Sequence, residues 1–279
     1  MNPDIKIAFI GGGNMGRALV GGLRGGGHPA AKLAIGDPHE ATCEALRRDY
    51  PGVQVGTDNL AAIADADIVV LAIKPQELAQ VVTAMQPALR QTRPVVLSIA
   101  AGLRTADLAG WCGAGIAIVR AMPNRPALVG AGATGLYAPA DTPPAARALA
   151  EEVMRAAGTV AWVDDESLMD VVTAVSGSGP AYFFLLAEAL TEAGIRQGLA
   201  AEAARQLAVA TLHGAGSMAA RSDGDLSRLR AEVTSRGGTT EAALQSLHAQ
   251  HFGALVDAAV EAAVRRGREL AAEFGTHRS

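Results

Sequence analysis

The 279-residue sequence predicts two domains, an α/β doubly wound sheet followed by an all-α part. Short β-branched runs alternate with helical patterns as far as residue 163, which is typical of right-handed βαβ units in a parallel sheet. Beyond that residue the strand patterns cease, and apolar residues recur at helical spacing. We therefore expect an α/β domain at residues 1–163 and a helical domain at residues 164–279.

The expected elements follow in order along the chain. Strands are predicted where short β-branched or aromatic runs end at glycine, proline or a polar residue, at 5–10, 33–37, 53–55, 67–73, 94–99, 116–120 and 132–137. Helices are predicted in the first domain at 14–24, 39–49, 76–89 and 104–111. Helices are predicted in the second domain at 166–175, 180–195, 200–220, 241–250 and 253–273.

Composition limits the possible classes of protein. Hydrophobic residues make up 49% of the chain and charged residues 19%, which is enough apolar material for a folded core. The formal net charge of −4 gives no electrostatic basis for binding nucleic acid, and the arginines are scattered. The two cysteines, Cys43 and Cys112, have neither metal-site nor disulfide spacing, so we expect both to be packing residues.

The amino-terminal residues run directly into a predicted strand and lack the charged and apolar regions of a signal peptide. No stretch reaches the roughly 18 uninterrupted apolar residues that a membrane span needs. We therefore expect a cytoplasmic protein with neither membrane nor nucleic acid as partner.

A glycine motif, Gly11-x-Gly13-x-x-Gly16, follows the first predicted strand and opens the first helix. Gly11 permits a tight turn, Gly13 allows the backbone to approach a pyrophosphate, and Gly16 allows close packing of helix on strand. The helix start then offers free N–H groups to the phosphates. The motif in this setting predicts a Rossmann-type site for a dinucleotide.

An acidic residue, Asp37, stands at the end of the second strand, where it can accept hydrogen bonds from the adenine ribose. That role favours NADH over NADPH. Pro38 alters the turn, and His39 can itself approach a phosphate, so both cofactors stay open. Lys74, one of three lysines, follows the strand 67–73 at the ligand-binding edge of the sheet, and we expect it near the nicotinamide.

Two segments of the second half are rich in small residues. Residues 173–184 contain Ser-Gly-Ser-Gly-Pro, in which Pro180 suits the first turn of a helix. Residues 233–240 end in Gly-Gly-Thr-Thr before a predicted helix. Thr239 or Thr240 can cap that helix, and its first N–H groups can bind a substrate carboxylate. Both roles can hold together.

Along its whole length the sequence resembles the pyrroline-5-carboxylate reductase family. The resemblance is carried by five segments in order, namely Gly11–Gly16, Ala72–Gln76, Met122–Ala127, Asp170–Phe184 and Val233–Thr240. It implies a Rossmann domain joined to a helical domain that forms a homodimer, often within a decamer. It also implies reduction of 1-pyrroline-5-carboxylate, a small cyclic imino acid, to L-proline with NADP(H), with NAD(H) as the alternative cofactor.

The resemblance and the motifs together give the candidate site residues. The expected cofactor contacts are Gly11, Gly13, Asn14, Met15, Gly16, Asp37, Asn59, Ala72, Lys74, Pro75 and Ala101. The expected substrate contacts are Ser235, Gly238, Thr239 and Thr240, and Thr240 is the expected catalytic residue.

The sequence departs from the family pattern at two positions. Arg236 stands where the family usually has proline, and Arg125 stands where threonine is frequent. Arg236 either loosens the loop or adds positive charge near an anionic substrate.

Two other functions compete with this interpretation. A β-hydroxyacid dehydrogenase needs a lysine in the helical domain, but no lysine follows Lys74. A non-catalytic dinucleotide sensor needs the glycine loop but not the segments 173–184 and 233–240. His248 and His251 have a spacing that metals can use, but no third ligand is evident, so no metal site is predicted.

Overall fold

A computed structural model describes residues 2–275, and these residues form two compact units. The first, called the sheet unit here, comprises the residues up to Ser178 together with those from Ala263 onward. The second, the helical unit, is Gly179–Ala262. These units differ from the expected division at residue 163, because the segment 164–178 and the end of the last helix belong to the sheet unit. A functional boundary at residue 163 stays a prediction.

The sheet unit contains one eight-stranded sheet, with the strand order β3-β2-β1-β4-β5-β6-β7-β8. The strands are β1 Ile7–Ile10, β2 Leu33–Gly36, β3 Gln54–Gly56, β4 Ile68–Leu71, β5 Val95–Ser98, β6 Ile118–Met122, β7 Gly132–Tyr137 and β8 Gly158–Trp162. All neighbours are parallel except β6 and β7, which are antiparallel. The order from β3 to β6 is that of the Rossmann fold, which confirms the predicted fold class.

The helices surround the sheet in the first unit and make up the second. They are α1 Asn14–Gly25, α2 Glu40–Asp49, α3 Asn59–Ile63, α4 Pro75–Thr92, α5 Thr105–Cys112, α6 Pro144–Arg155, α7 Leu168–Val172, α8 Gly179–Arg196, α9 Ala201–Arg221, α10 Leu226–Glu232, α11 Thr239–Ala249 and α12 Phe252–Gly275. A π-helical turn, Thr173–Gly177, continues α7. The sequence did not predict α3, α6, α10 or β8.

The central strands are buried on both faces, and the side chains of successive residues pack into two separate hydrophobic cores. Ile7 and Phe9 pack into the core that contains Leu19 of α1. Ala8 and Ile10 pack into the core that contains Leu78 of α4. Because strand side chains alternate between faces, the two cores lie on opposite faces of the sheet. Helices on both faces complete the doubly wound architecture.

The helical unit exposes much of its apolar surface in the single chain. In α8 the consecutive residues Phe183, Phe184, Leu185 and Leu186 are all exposed. The stretch Leu168–Arg196 is long and apolar enough to cross a membrane by length and composition alone. The sequence expectation, which considered uninterrupted apolar runs, did not single out this stretch.

Both cysteines are buried, as expected of packing residues. Burial raises the pKa of the Cys112 thiol to about 12.

Candidate active site

The glycine loop joins β1 to α1 and has the shape of a cradle. Gly11 has φ +104°, and a Cβ there would lie 2.5 Å from the carbonyl oxygen of Ala72. A Cβ on Gly16 would lie 2.6 Å from the carbonyl oxygen of Gly11. At Gly13, by contrast, no atom of residues 2–275 other than those of the adjoining backbone lies within 4 Å of the Cβ position. Two glycines are therefore required by packing, and the third leaves space beside the backbone.

The amino terminus of α1 is open at this cradle. Gly13 is the N-cap and has no side chain with which to satisfy the first N–H groups of the helix. Asn14 is exposed, while Met15 packs partly against the core. Free N–H groups beside an open backbone fit the pyrophosphate of a dinucleotide. This is the observation on which the fit of the cofactor depends.

The carboxylate of Asp37 holds the glycine loop against the end of β2. Its Oδ2 accepts a hydrogen bond from the backbone N–H of Gly12 at 2.8 Å. Its Oδ1 accepts one from the backbone N–H of His39 at 3.0 Å. The side chain is 11% exposed. Both oxygens thus already accept backbone donors, and Asp37 first of all fixes the loop.

Two further candidate residues lie at the same edge of the sheet. Ala72, directly after β4, donates its backbone N–H to the carbonyl of Ile10 at 2.8 Å. Asn59 begins α3, and its Oδ1 is buried with no hydrogen-bond partner in residues 2–275. A Cβ on Gly36 would press against that oxygen, so the end of β2 and Asn59 are in contact. An unsatisfied buried acceptor at this edge fits a cofactor that donates a hydrogen bond to it.

The remaining cofactor candidates follow β4 and β5. Lys74 is exposed and is the N-cap of α4, where Pro75 takes the first helical position. Ala101 is partly buried in the loop after β5. Because β4 is a parallel neighbour of β1 and β5 is a parallel neighbour of β4, the carboxyl ends of these strands meet at one edge of the sheet. The topology therefore brings all the predicted cofactor residues to this edge.

A buried ionic cluster, which the sequence did not predict, ties the segment 166–170 to the sheet. Arg120 of β6 donates to Glu166 at 2.9 Å, and Arg104 donates to Asp170 at 2.8 Å. Glu166 also accepts the backbone N–H of Thr105 at 2.6 Å. Burial lowers the pKa of Arg120, and its hydrogen bond to Glu166 acts in the opposite direction.

Asn124 connects this region to the π-helical turn. Its side-chain N–H donates to the carbonyl of Ser176 at 3.0 Å, and its Oδ1 accepts from Ala133 N–H at 2.9 Å. The sequence singled out the segment Met122–Ala127 but assigned no role to Asn124. Charged and amide groups that pair over such long separations leave no periodic signal, so only the matched segment pointed to this residue.

The helical unit holds the predicted substrate loop, Ser235–Thr240. Gly237 has φ +73°, and Gly238 donates its N–H to the carbonyl of Ser235 at 3.0 Å. Gly238 is then the N-cap of α11, which the glycine cannot cap with a side chain. Thr239 and Thr240 are thus the first helical residues and not the cap. Their backbone N–H groups have no partner within the helix.

The other residues of this loop differ in their exposure. Ser235, Arg236 and Thr239 are exposed, and Thr240 is half-buried. The side chain of Glu241 accepts the N–H of Gly237 at 2.7 Å, which fixes the turn. His248 and His251 are exposed. In the part of the chain that the structure describes, no group of three or more His, Cys, Asp or Glu could hold a metal ion.

Two family models match the chain. Residues 6–102 match the model described as NADP oxidoreductase coenzyme F420-dependent. Residues 166–270 match the model of pyrroline-5-carboxylate reductase dimerisation. The sheet edge with the glycine loop falls in the first match, and the loop Ser235–Thr240 falls in the second.

Relatives and solved structures match over nearly the full length. A pyrroline-5-carboxylate reductase of Pseudomonas aeruginosa is 46% identical over 97% of this chain and 98% of its own. One of Vibrio alginolyticus is 42% identical over 95% of this chain and 97% of its own. A Coxiella burnetii pyrroline-5-carboxylate reductase structure has a TM-score of 0.92 at 40% identity, covering 96% of this chain and 98% of that one. A Plasmodium falciparum pyrroline carboxylate reductase with NADP bound has a TM-score of 0.80 at 29% identity, covering 96% and 99%.

Proposed function

The chain belongs to the pyrroline-5-carboxylate reductase family, and on that premise we propose that it reduces 1-pyrroline-5-carboxylate to L-proline with NADP(H) as cofactor. This is the last step of proline biosynthesis. The observation that supports it most directly is the pairing, in one chain, of an open dinucleotide cradle with the uncapped helix start at Gly238.

The residues at the carboxyl edge of the sheet hold the cofactor. The open backbone at Gly13 and the first N–H groups of α1 bind the pyrophosphate. Asn59 offers its buried Oδ1 as an acceptor, and Lys74 offers a positive charge. When bound, the reduced nicotinamide supplies a hydride to the ring carbon of the imine.

The loop Ser235–Thr240 binds and orients the substrate. The free N–H groups at the start of α11 hold the carboxylate, with the aid of the positive end of the helix dipole. The hydroxyl of Thr240 hydrogen-bonds the ring nitrogen and orients it, and the proton that the nitrogen gains as the imine becomes an amine comes from solvent water. A cyclic imine is already electrophilic once its nitrogen is hydrogen-bonded, so positioning supplies most of the catalysis.

The NADH alternative and the two competing functions receive less support. The match to an NADP oxidoreductase model and the NADP-bound relative favour NADP(H). The dehydrogenase alternative lacks a lysine after Lys74. The sensor alternative leaves the loop Ser235–Thr240 and the match over residues 166–270 without a role.

The protein forms a homodimer through its helical domain, and dimers assemble further into a decamer. The dimerisation match and the exposed apolar residues of α8 support the dimer. The proposed location is the cytoplasm, with no nucleic acid or membrane as partner. The net charge of −4 and the dimerisation match support these assignments.

Initial rates of NADPH oxidation by the purified protein test the proposal. We expect rapid oxidation with 1-pyrroline-5-carboxylate and formation of L-proline in equal amount, and slower oxidation when NADH replaces NADPH. The six-membered homologue of the substrate, assayed in parallel, measures selectivity for ring size. A protein that binds NADPH but does not oxidise it with any of these imines is a sensor, and the proposal is then wrong.

A further inference from the structure

We propose that His39 recognises the 2′-phosphate of NADPH and thereby sets the cofactor preference. This inference rests on the proposed function, since it concerns the same cofactor site. An acidic residue at the end of the second strand of a Rossmann fold ordinarily binds the ribose hydroxyls of NAD and repels a 2′-phosphate. Here that residue is Asp37, although the chain matches an NADP oxidoreductase model. The local geometry explains how both can be true.

The carboxylate of Asp37 is directed inward. It is 11% exposed, and its two oxygens accept the N–H groups of Gly12 and His39 at 2.8 and 3.0 Å. The thiol of Cys43 donates a hydrogen bond to the carbonyl oxygen of Asp37 at 3.3 Å, which also fixes the backbone at this point. Two backbone donors offset the negative charge where it is buried. The carboxylate therefore repels an anion outside the turn only weakly.

His39 is the exposed group of the same turn. Its side chain is 78% exposed, and its Nδ1 lies 3.2 Å from Oδ1 of Asp37. When both ring nitrogens carry protons, the Nδ1–H is donated to the carboxylate, which orients the ring, and the Nε2–H can be donated to a phosphate. Between Lys32 and Arg47 the sequence contains neither lysine nor arginine. In this segment the imidazole is thus the one side chain that can carry positive charge.

The surroundings of His39 also favour an anion. His39 is the N-cap of the ten-residue helix α2, and its side chain does not cap the first N–H groups. Those groups remain available to a phosphate beside the ring. The neighbouring carboxylate of Glu40 is paired with Arg47 at 2.6 Å, which reduces its repulsion. The ring and the helix start together can bind a 2′-phosphate.

Binding of two nucleotides that differ only in the 2′-phosphate tests this inference without any turnover. Adenosine 2′,5′-bisphosphate and AMP are titrated calorimetrically into the wild-type protein and into His39→Ala, His39→Arg and the control His248→Ala. We expect His39→Ala to lower the affinity for the bisphosphate about tenfold, which is the effect of losing one charge-assisted hydrogen bond. The affinity for AMP should change by less than about twofold. His39→Arg should retain or strengthen bisphosphate binding, and His248→Ala should change neither nucleotide.

Three results would overturn the inference. Equal weakening of both nucleotides by His39→Ala would mean that the ring only supports the loop. Unchanged bisphosphate binding in His39→Ala would mean that another group binds the 2′-phosphate. Failure of the wild-type protein to bind NADPH at all would overturn the proposed function as well, whereas the first two results leave that function intact.

Discussion

At the scale of single residues, Thr240 carries the chemical part of the proposal. Replacing it by alanine removes the hydroxyl that holds the ring nitrogen, so kcat should fall by about 100-fold or more. Thr240→Ser keeps the hydroxyl and is the matched control, for which kcat should stay within about tenfold of wild type. The affinity for NADPH, measured by calorimetry, should be unchanged in both variants because the glycine loop is untouched. Near-wild-type kcat in Thr240→Ala would remove Thr240 from the mechanism.

Asp37 should behave as a support of the glycine loop and not as a selector of cofactor. In Asp37→Asn the amide N–H₂ group must face either the N–H of Gly12 or that of His39, so one buried donor loses its acceptor. We expect the free energy of unfolding to fall by about 1–3 kcal/mol. The affinities for NADPH and NADH, measured by calorimetry, should both fall, and that for NADPH at least as much, because Asp37 also orients the His39 ring. Asp65→Asn, at an exposed carboxylate, is the control. Selective loss of NADH binding would instead show that Asp37 contacts the ribose.

At the scale of elements, the strongly periodic and fully buried segments were predictable. The strands β1 and β4 were found within two residues of their predicted bounds, because each is an apolar run between clear breaks. The strand at 132–137 was also predicted with its observed bounds, although it contains two glycines and a threonine. The direction of β7 was not predictable. This strand runs antiparallel to β6, because the nine residues that connect them, 123–131, are too few for a full crossover helix.

The missed elements have physical reasons of their own. The helix α6 begins at Pro144, which follows another proline; prolines usually mark a break, but the first turn of a helix accepts them. The strand β8 is only partly buried and therefore lacks a continuous apolar run. The helices α3 and α10 have five and seven residues, which is too short for a clear period.

The ionic cluster around Glu166 should stabilise the attachment of α7 to the sheet. Glu166→Gln leaves Arg120 buried without its anionic partner, so the free energy of unfolding should fall by about 3 kcal/mol. The neighbouring exposed carboxylate of Asp165 is the control, and Asp165→Asn should lower the free energy of unfolding by much less than Glu166→Gln. Urea unfolding at one fixed protein concentration measures both. Equal effects of the two substitutions would mean that the cluster contributes nothing of its own.

At the scale of the whole molecule, helical periodicity predicted the helices of the second half but not what covers them. A helix that is apolar around its circumference is either buried in an assembly or spans a membrane. In α8 four consecutive exposed residues, Phe183–Leu186, occupy every side of one turn. A single chain does not bury them, and the family match over residues 166–270 names dimerisation. The candidate site depended likewise on matched segments, since the loop Ser235–Thr240 carries no periodic pattern.

Disruption of this apolar surface should therefore dissociate the protein. Phe184→Glu places a charge among side chains that a second copy would bury, and the desolvation cost favours the monomer. Sedimentation velocity should show the wild-type protein as a dimer or a larger assembly and Phe184→Glu as a species of lower mass. Val129→Glu introduces the same charge at a residue of the sheet unit that is 81% exposed, and it should leave the assembly unchanged. If the wild-type protein is instead a monomer that floats with lipid vesicles, the stretch Leu168–Arg196 binds a membrane. If it is a monomer that does not bind lipid, the predicted dimer contact of α8 is wrong.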